Sequence, residues 1–361
     1  MRMVPMENVE LLKETGYTRG LLPRRFGGSK EDFLEFSHCS RKIAAACPST
    51  GWVMHLLSAH AHAVAAFDEK VQEEIWGKDA DTFVCSSVAP TGTFTRTDEG
   101  YRVSGRYRFS SGCDHAQWAL LGGYCENEAG DKEHLLALLP ALDYQIIDTW
   151  HAAGLKGTGS KDLQVDDVLV PEYRAESFYA LATGQSRGVG VHDSDLYRIP
   201  FMAVFGAGFS TIVLGIADGM LRNYTDYLKK RTRAFTGAKM LQSIPACMRL
   251  AESSHELNAA SLILENDWAD FVSHGVQTKA PTEDTQVKWR TNQAYAVKLA
   301  VQAADRLYEA SGGSAAMESH AAQRYWRDIH VASAHAYTDY DVAAQILGRH
   351  LAGLPPDPEL L

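Results

Sequence analysis

"GRYRFSSGCDHAQWALLGG", Gly105–Gly123, reads as two short extended runs, aromatic and apolar, on either side of a polar turn. The same texture continues in both directions, from Thr82 to about Phe178. "TFVCSSVAP", "GTFTRT", "GYRVSGRYRFSSG", "WALLGGYC", "HLLALLP", "YQIIDTW" and "LQVDDVLVP" are each strand-length, rich in Val, Tyr, Phe and Thr, and separated by Gly, Pro and Asp. No helical stretch intervenes, so the pattern predicts an antiparallel β sandwich or barrel in place of a parallel sheet.

Both flanks are helical. "EDFLEFSHCSRKIAAAC" sets Phe33, Phe36, Ile43 and Ala44 near one face. Pro48 and Gly51 interrupt it, Ser49 is a plausible N-cap, and "TGWVMHLLSAHAHAVAAF" opens a second helix with no polar side, expected to be buried all round. From Pro200 to about Gly353 long helices return. The last, "AQRYWRDIHVASAHAYTDYDVAAQILGRHLAG", runs to a stop at "LPPDP". "ATGQSRGVGVHDSD" between the strands and these helices reads as a mobile surface loop. The expected fold class is α+β: a helical domain over 1–80, a β domain over 81–180 and a helical domain over 197–361.

At 361 residues and 45% hydrophobic content the chain can bury a large core. No stretch reads as a transmembrane helix and the start lacks the apolar block of a secretory signal, so a cytoplasmic protein is expected. The net charge of −10 argues against nucleic acid as the main partner, and without a transmembrane run no membrane partner is expected. Six cysteines without a C-x-x-C pair suggest reduced thiols.

"GVGVHD" and "GTGSKD" both lack the third glycine of a dinucleotide fingerprint, and no phosphate-binding P-loop is present. Without a G-x-S-x-G elbow, Ser110 and Ser111 are not hydrolase nucleophiles. His60 and His62 point to different sides of a helix, and His330 and His335 are out of register, so no metal site is expected. Arg327 and Asp328 read as partners within a packing helix. His335 lies among Ala332, Ala334 and Ala336, which leave room beside its imidazole.

The α–β–α order, with "PSTGWVMHLLSAH" (Pro48–His60), "FSSGCDHAQW" (Phe109–Trp118), "AGLKGTGSKDLQVDDVLVP" (Ala153–Pro171), "YEASGGSA" (Tyr308–Ala315) and "RYWRDIHVASAH" (Arg324–His335), resembles the acyl-CoA dehydrogenase fold. More narrowly, it resembles the oxygenase components of two-component flavin monooxygenases, among them hydroxylases of phenolic secosteroids and of 4-hydroxyphenylacetate. The resemblance implies an N-terminal helical sub-domain, a central antiparallel β domain, a C-terminal four-helix bundle and a homotetramer. The family usually has a further helix ahead of the segment matching "VPMENVELLKETGY". Laying the dehydrogenases' R-D…Y-E-G-T segment on Arg327–Asp328 puts His335 at the tyrosine and Ala336 at the glutamate that removes a substrate proton. A dehydrogenase-type oxidoreductase is therefore the weaker alternative.

What the resemblance implies chemically is reduced FMN or FAD, delivered by a separate NAD(P)H-dependent flavin reductase, meeting O₂ to form a C4a-hydroperoxyflavin that hydroxylates a phenol or similar ring at the ortho carbon. N- or S-oxygenation by the same intermediate is the alternative. Ser111 falls where a hydroxyl stands beside flavin N5, with Ser110 preceding it. Ser86, Val88 and Pro90 of "CSSVAP", Arg233 as a phosphate contact, and Gly312 and Gly313 as a close backbone approach from a neighbouring subunit complete the implied flavin site. Trp52, His60 and His335 are the implied substrate contacts. His335 is first choice as base or phenolate partner, with His60 and His115 next and Asp339 orienting His335. A phenol near pKa 10 facing a histidine near 6.5 leaves a gap of about 3.5 units, or about 5 kcal/mol, for the site to narrow.

Overall fold

The computed structural model describes residues 2–29, 32–126, 129–232, 235–277 and 281–355. Four helices come first: α1 (Met6–Glu14), α2 (Phe33–Ala46), α3 (Pro48–Ala65) and α4 (Glu69–Trp76). Asp32 caps α2 by accepting the Glu35 N–H. Pro48 occupies the first turn of α3 and Cys47 its N-cap, so Ser49 is not the cap the sequence suggested. In α3 every residue except Ser49 is buried, as its missing polar face requires. Gly51 allows that helix to meet α2 closely, since a Cβ there would collide with the Ala44 backbone.

The strands are β1 (Val84–Thr97), β2 (Gly100–Ser110), β3 (Trp118–Glu126), β4 (Lys132–Pro140), β5 (Gln145–Ile147), β6 (Lys161–Pro171) and β7 (Ala175–Ser177). They form one seven-stranded sheet in the order β5-β6-β2-β1-β3-β4-β7, and β1 and β3 run parallel. The wholly antiparallel sandwich or barrel expected from the spacing is corrected on this point. The reason is topological: β2 pairs on one edge of β1, and the chain then crosses to the other edge, so β2 itself serves as the crossover that a parallel pair needs. Side chains alternate between two cores. Val84, Leu120, Leu136 and Leu138 face the helices, while Cys85, Ala119, Leu121 and Ala137 face the opposite core with Tyr107 and Phe94.

After α5 (Phe178–Thr183) come α6 (Phe201–Lys230), α7 (Ile244–Gln277), α8 (Glu283–Ser311), α9 (Ala321–Ser333) and α10 (Tyr340–Leu351). By length and composition α6 could cross a membrane, contrary to the sequence reading, but its most apolar window is 89% buried inside the protein, packed on α2, α3, α7, α8 and α9. The segment read as a mobile loop is held down. Gly188 N–H donates to the Ala66 carbonyl, and His192 Nε2 lies 2.8 Å from Gln72 Oε1.

The last helix of the expected bundle is broken in two. α9 ends at Ser333 and a single 3₁₀ turn, Ala336–Thr338, leads into α10. Three short side chains enforce the break: His335 Nδ1 accepts the Tyr337 N–H, Thr338 Oγ1 donates to the Ser333 and His335 carbonyls, and Asp339 Oδ1 accepts from Asp341 and Val342 N–H.

Candidate active site

Trp52, Leu56 and His60 follow one ridge of α3 at i, i+4 and i+8. Trp52 faces Phe209 of α6 at 5.4 Å and His335 at 6.2 Å between ring centroids. Phe209 stacks on His335 at 3.8 Å, and Phe205 links Phe209 (4.9 Å) to His60 (6.2 Å). A row of rings thus runs from His60 to His335. The α9–α10 break places His335 at its end, on a turn where an unbroken helix would have carried it elsewhere. α9 is anchored to the β side by Asp328, whose Oδ1 accepts the Leu155 N–H at 2.6 Å, and by Arg327, which donates to the Ala153 carbonyl. The internal Arg327–Asp328 pairing read from the sequence is replaced by these two bonds to the 153–155 loop.

The two histidines differ in tautomer. His60 Nδ1 lies 2.6 Å from the Val84 carbonyl, an acceptor only, so Nδ1 carries the hydrogen and Nε2, 2.9 Å from Ser86 Oγ, is a bare acceptor. His335 Nδ1 accepts a backbone N–H, so its hydrogen sits on Nε2 and the ring offers a donor. Burial holds both near pKa 4, with the nearby Arg290 guanidinium adding to the shift at His335, so both are neutral at pH 7. Arg290 is itself buried, spends its hydrogen bonds on the Tyr337 and Ala336 carbonyls, and lies over the Tyr337 ring at 4.4 Å. It clamps the turn that carries His335.

Ser111 closes the cluster on the β side. Its Oγ accepts from Trp52 Nε1 at 3.0 Å and lies 2.7 Å from Ser160 Oγ, which lies 2.7 Å from Thr158 Oγ1. Around this point the sheet opens. β1 and β2 are paired from Thr93–Thr97 to Gly100–Ser104, and nearer the site Ser87 Oγ donates to the Arg108 carbonyl. β1 also leaves β3 between Ser87 and Gly92, which puts Val88 and Pro90 on an irregular, half-buried arc. Beside it Phe109, at φ 61° and 66% exposed, meets Trp150 edge-on at 6.3 Å.

The structure therefore brings together Trp52, His60, Ser86, Ser111 and His335 in one neighbourhood, with Val88 and Pro90 at its edge. Within the protomer it does not bring Ser110, His115 or Asp339, nor Gly312 and Gly313, whose expected approach is from a neighbouring subunit. Ser110, the last residue of β2, points into the β core toward Cys85, while Ser111 lies in the turn just beyond the strand. His115 sits by the Val4 backbone, Lys13 and Lys161. Asp339 caps α10 and does not orient His335, because the helix that would have stacked the two is broken. Gly312, at φ 71°, lies under the Arg231 guanidinium, and Gly313 has open space beside it. Arg233 lies outside the described residues. Phe205, Phe209, Arg290, Thr158 and Ser160 were missed. The hydroxyl-rich "GTGSKD", set aside for its missing glycine, was the available signal for the last two. Among the described residues no group of His, Cys, Asp and Glu is arranged to hold a metal ion.

The sequence profile described as "Acyl-CoA dehydrogenase, C-terminal domain" matches residues 207–340. The p-hydroxyphenylacetate 3-hydroxylase oxygenase component of Acinetobacter baumannii is 42% identical over 362 residues, spanning 100% of this chain and 86% of that protein. The chain belongs to the oxygenase components of flavin-dependent hydroxylases. Solved structures agree with that membership. The 3-HSA hydroxylase from Rhodococcus sp. RHA1 superposes with a TM-score of 0.94 at 35% identity, over 100% of this chain and 93% of that one. XiaF from Streptomyces sp., in complex with FADH2 and glycerol, gives 0.91 at 25% identity, over 98% and 90%. As an oxygenase component the chain has the acyl-CoA dehydrogenase-like fold.

Proposed function

We propose that the chain hydroxylates a phenol at the carbon ortho to its hydroxyl, with O₂ and with reduced FMN or FAD supplied by a separate NAD(P)H-dependent reductase. The observation that carries this reading is His60, a neutral imidazole with a bare Nε2 on the Ser86 hydroxyl, facing a row of aromatic rings. Ser86 gives its hydrogen to His60, which leaves its lone pairs to accept the hydrogen of a substrate phenol. With His60 near pKa 4 and a phenol near 10, full transfer would cost about 8 kcal/mol. His60 and Ser86 therefore share the proton, drawing electron density into the ring without first releasing a phenolate. In this reading His60, not His335, is the base, and His335 holds an oxygen atom with its Nε2–H.

The residues present suit a flavin. Ser111 keeps one lone pair free, and Trp52 and the exposed Phe109 with Trp150 give flat apolar faces. When bound, the reduced flavin supplies the activation of O₂ and the oxygen atom that is transferred. The protein's own part is to orient, to keep water out with Trp52, Phe205 and Phe209, and to handle the phenol proton. A cytoplasmic homotetramer belongs to the same reading. Six free thiols suit a reducing compartment, and Ile244, Met248 and Leu262, exposed on α7, suit burial against another copy.

The test supplies photoreduced FMN or FAD under air with a panel of phenols and follows product by mass. One added oxygen in the product supports the reading. Reduced flavin spent to hydrogen peroxide alone, with no hydroxylated phenol from either flavin, would overturn it.

A further inference from the structure

The hydroxyls behind Ser111 form a chain in which one arrangement of hydrogens satisfies every contact. Leu155 O, which also accepts from Trp150 Nε1 and the Thr158 N–H at 3.0 Å each, has no hydrogen to give, so the 2.9 Å contact from Thr158 Oγ1 is a hydrogen bond only with the Thr158 hydrogen in it. The 2.7 Å contact between Thr158 and Ser160 then needs the hydrogen of Ser160. The 2.7 Å contact between Ser160 and Ser111 needs that of Ser111. Two oxygens at such distances with no hydrogen between them would repel. At the other end Trp52 Nε1, a donor only, fills one lone pair of Ser111. All four side chains are buried and pinned: Trp52, Ser111, Thr158 and Ser160 are 7%, 8%, 1% and 4% exposed.

Ser111 is thus left with no hydrogen and one lone pair for whatever stands beside it. An isoalloxazine carries a hydrogen on N3 in every redox state, but on N5 only when reduced. We infer that Thr158 and Ser160 are positioning residues that lock the Ser111 hydroxyl as an acceptor toward flavin N5, and so make the site select the reduced cofactor over the oxidised one. This rests on the flavin reading above. The selection has a use in a two-component system, because spent flavin must leave before the next reduced molecule arrives.

Replacing Thr158 by Val removes the acceptor for Ser160. Ser160 then turns its hydrogen to Ser111, and the hydrogen of Ser111 is released toward the ring. Thr158→Ser keeps the relay and is the control. The experiment is anaerobic titration of wild type, T158V and T158S with oxidised FMN and with dithionite-reduced FMN, and the same pair with FAD, each protein checked by circular dichroism.

Wild type and T158S are expected to prefer reduced flavin. In T158V the oxidised form gains and the reduced form loses, narrowing the ratio of dissociation constants by about ten-fold, the effect of one hydrogen bond exchanged. Equal loss for both redox forms in T158V, or a ratio unchanged from wild type, would mean that Thr158 is merely structural and would overturn the inference. Wild type binding neither flavin would instead remove the functional reading, and this inference with it.

Discussion

His60 Nε2 stands 2.9 Å from Ser86 Oγ, while the other nitrogen of the same ring lies 2.6 Å from the Val84 carbonyl, so a strand β1 backbone group decides which nitrogen can receive a proton. His60→Gln keeps a donor toward Val84 but has no basic nitrogen. It should lower product per reduced flavin by about 10²–10⁴-fold, with the lost flavin oxidation appearing as hydrogen peroxide. Ser86→Ala should cost less, since a phenol can still reach Nε2 directly. More acidic phenols should recover part of the His60→Gln loss. Unchanged product yield in His60→Gln would sink the assignment.

His335 combines two tasks, capping the 336–338 turn with Nδ1 and presenting Nε2–H. His335→Ala loses both, and its unfolding free energy should fall by about 1 kcal/mol through the cap alone. His335→Asp can cap but offers no donor; His335→Asn can do both. Product yield should therefore follow Asn above Asp, while urea midpoints place Asn and Asp together above Ala. The same yield from Asn and Asp would show that the donor is idle.

Burial lowers His55 to about pKa 3 and His60 and His62 to about 4. The unfolded chain, with values near 6.5, then binds protons that the folded chain refuses. These three groups leave stability unaffected above about pH 7 and reduce it as pH falls from about 6.5 toward 4, by up to about 1.4 kcal/mol per pH unit for each. His62→Gln preserves a donor for the Leu196 carbonyl and should remove one such contribution. Urea unfolding at pH 7, 6 and 5 measures it, and an unaltered pH slope in His62→Gln would contradict the buried-neutral assignment.

Asp328 ties α9 to the 153–155 loop, and Gly154 permits the approach because a Cβ there would strike the Arg327 carbonyl. Asp328→Ala leaves the Leu155 N–H without its partner and should cost about 1–3 kcal/mol. Gly154→Ala should cost at least as much, since backbone has to move. Both should also weaken flavin binding, because the same loop supplies Leu155 O to the hydroxyl relay. Full stability in Gly154→Ala would show that the two elements separate freely.

The order of helices and strands was legible because periodicity is local: α3 lacks a polar face in its own letters, and it is buried on every side. Parallel β1–β3 pairing was not, since which edge of β1 receives β3 depends on a crossing that no residue announces. Trp52, His60, Ser86, Ser111 and His335 were found through motif resemblance. The tautomers of the two histidines were not legible, because they are set by Val84 and by the Tyr337 N–H, partners far away or hidden in a helix break. The break escaped notice because Ser333, His335, Thr338 and Asp339 each also occur within helices, and their capping shows only when they act together. Ser110 and Ser111 look equivalent in a row of letters, yet Ser110 ends β2 facing the β core while Ser111 lies in the turn after it, against Trp52.

The enclosure of α3 bears on how the protein is made. Its partner α6 begins at Phe201, so on the ribosome an oily cylinder emerges long before the segment that will cover it. Nascent chains halted before Phe201 should cling to chaperones and precipitate when released, whereas chains extended past Lys230 should stay dispersed. Burial of α3 therefore waits on one late helix.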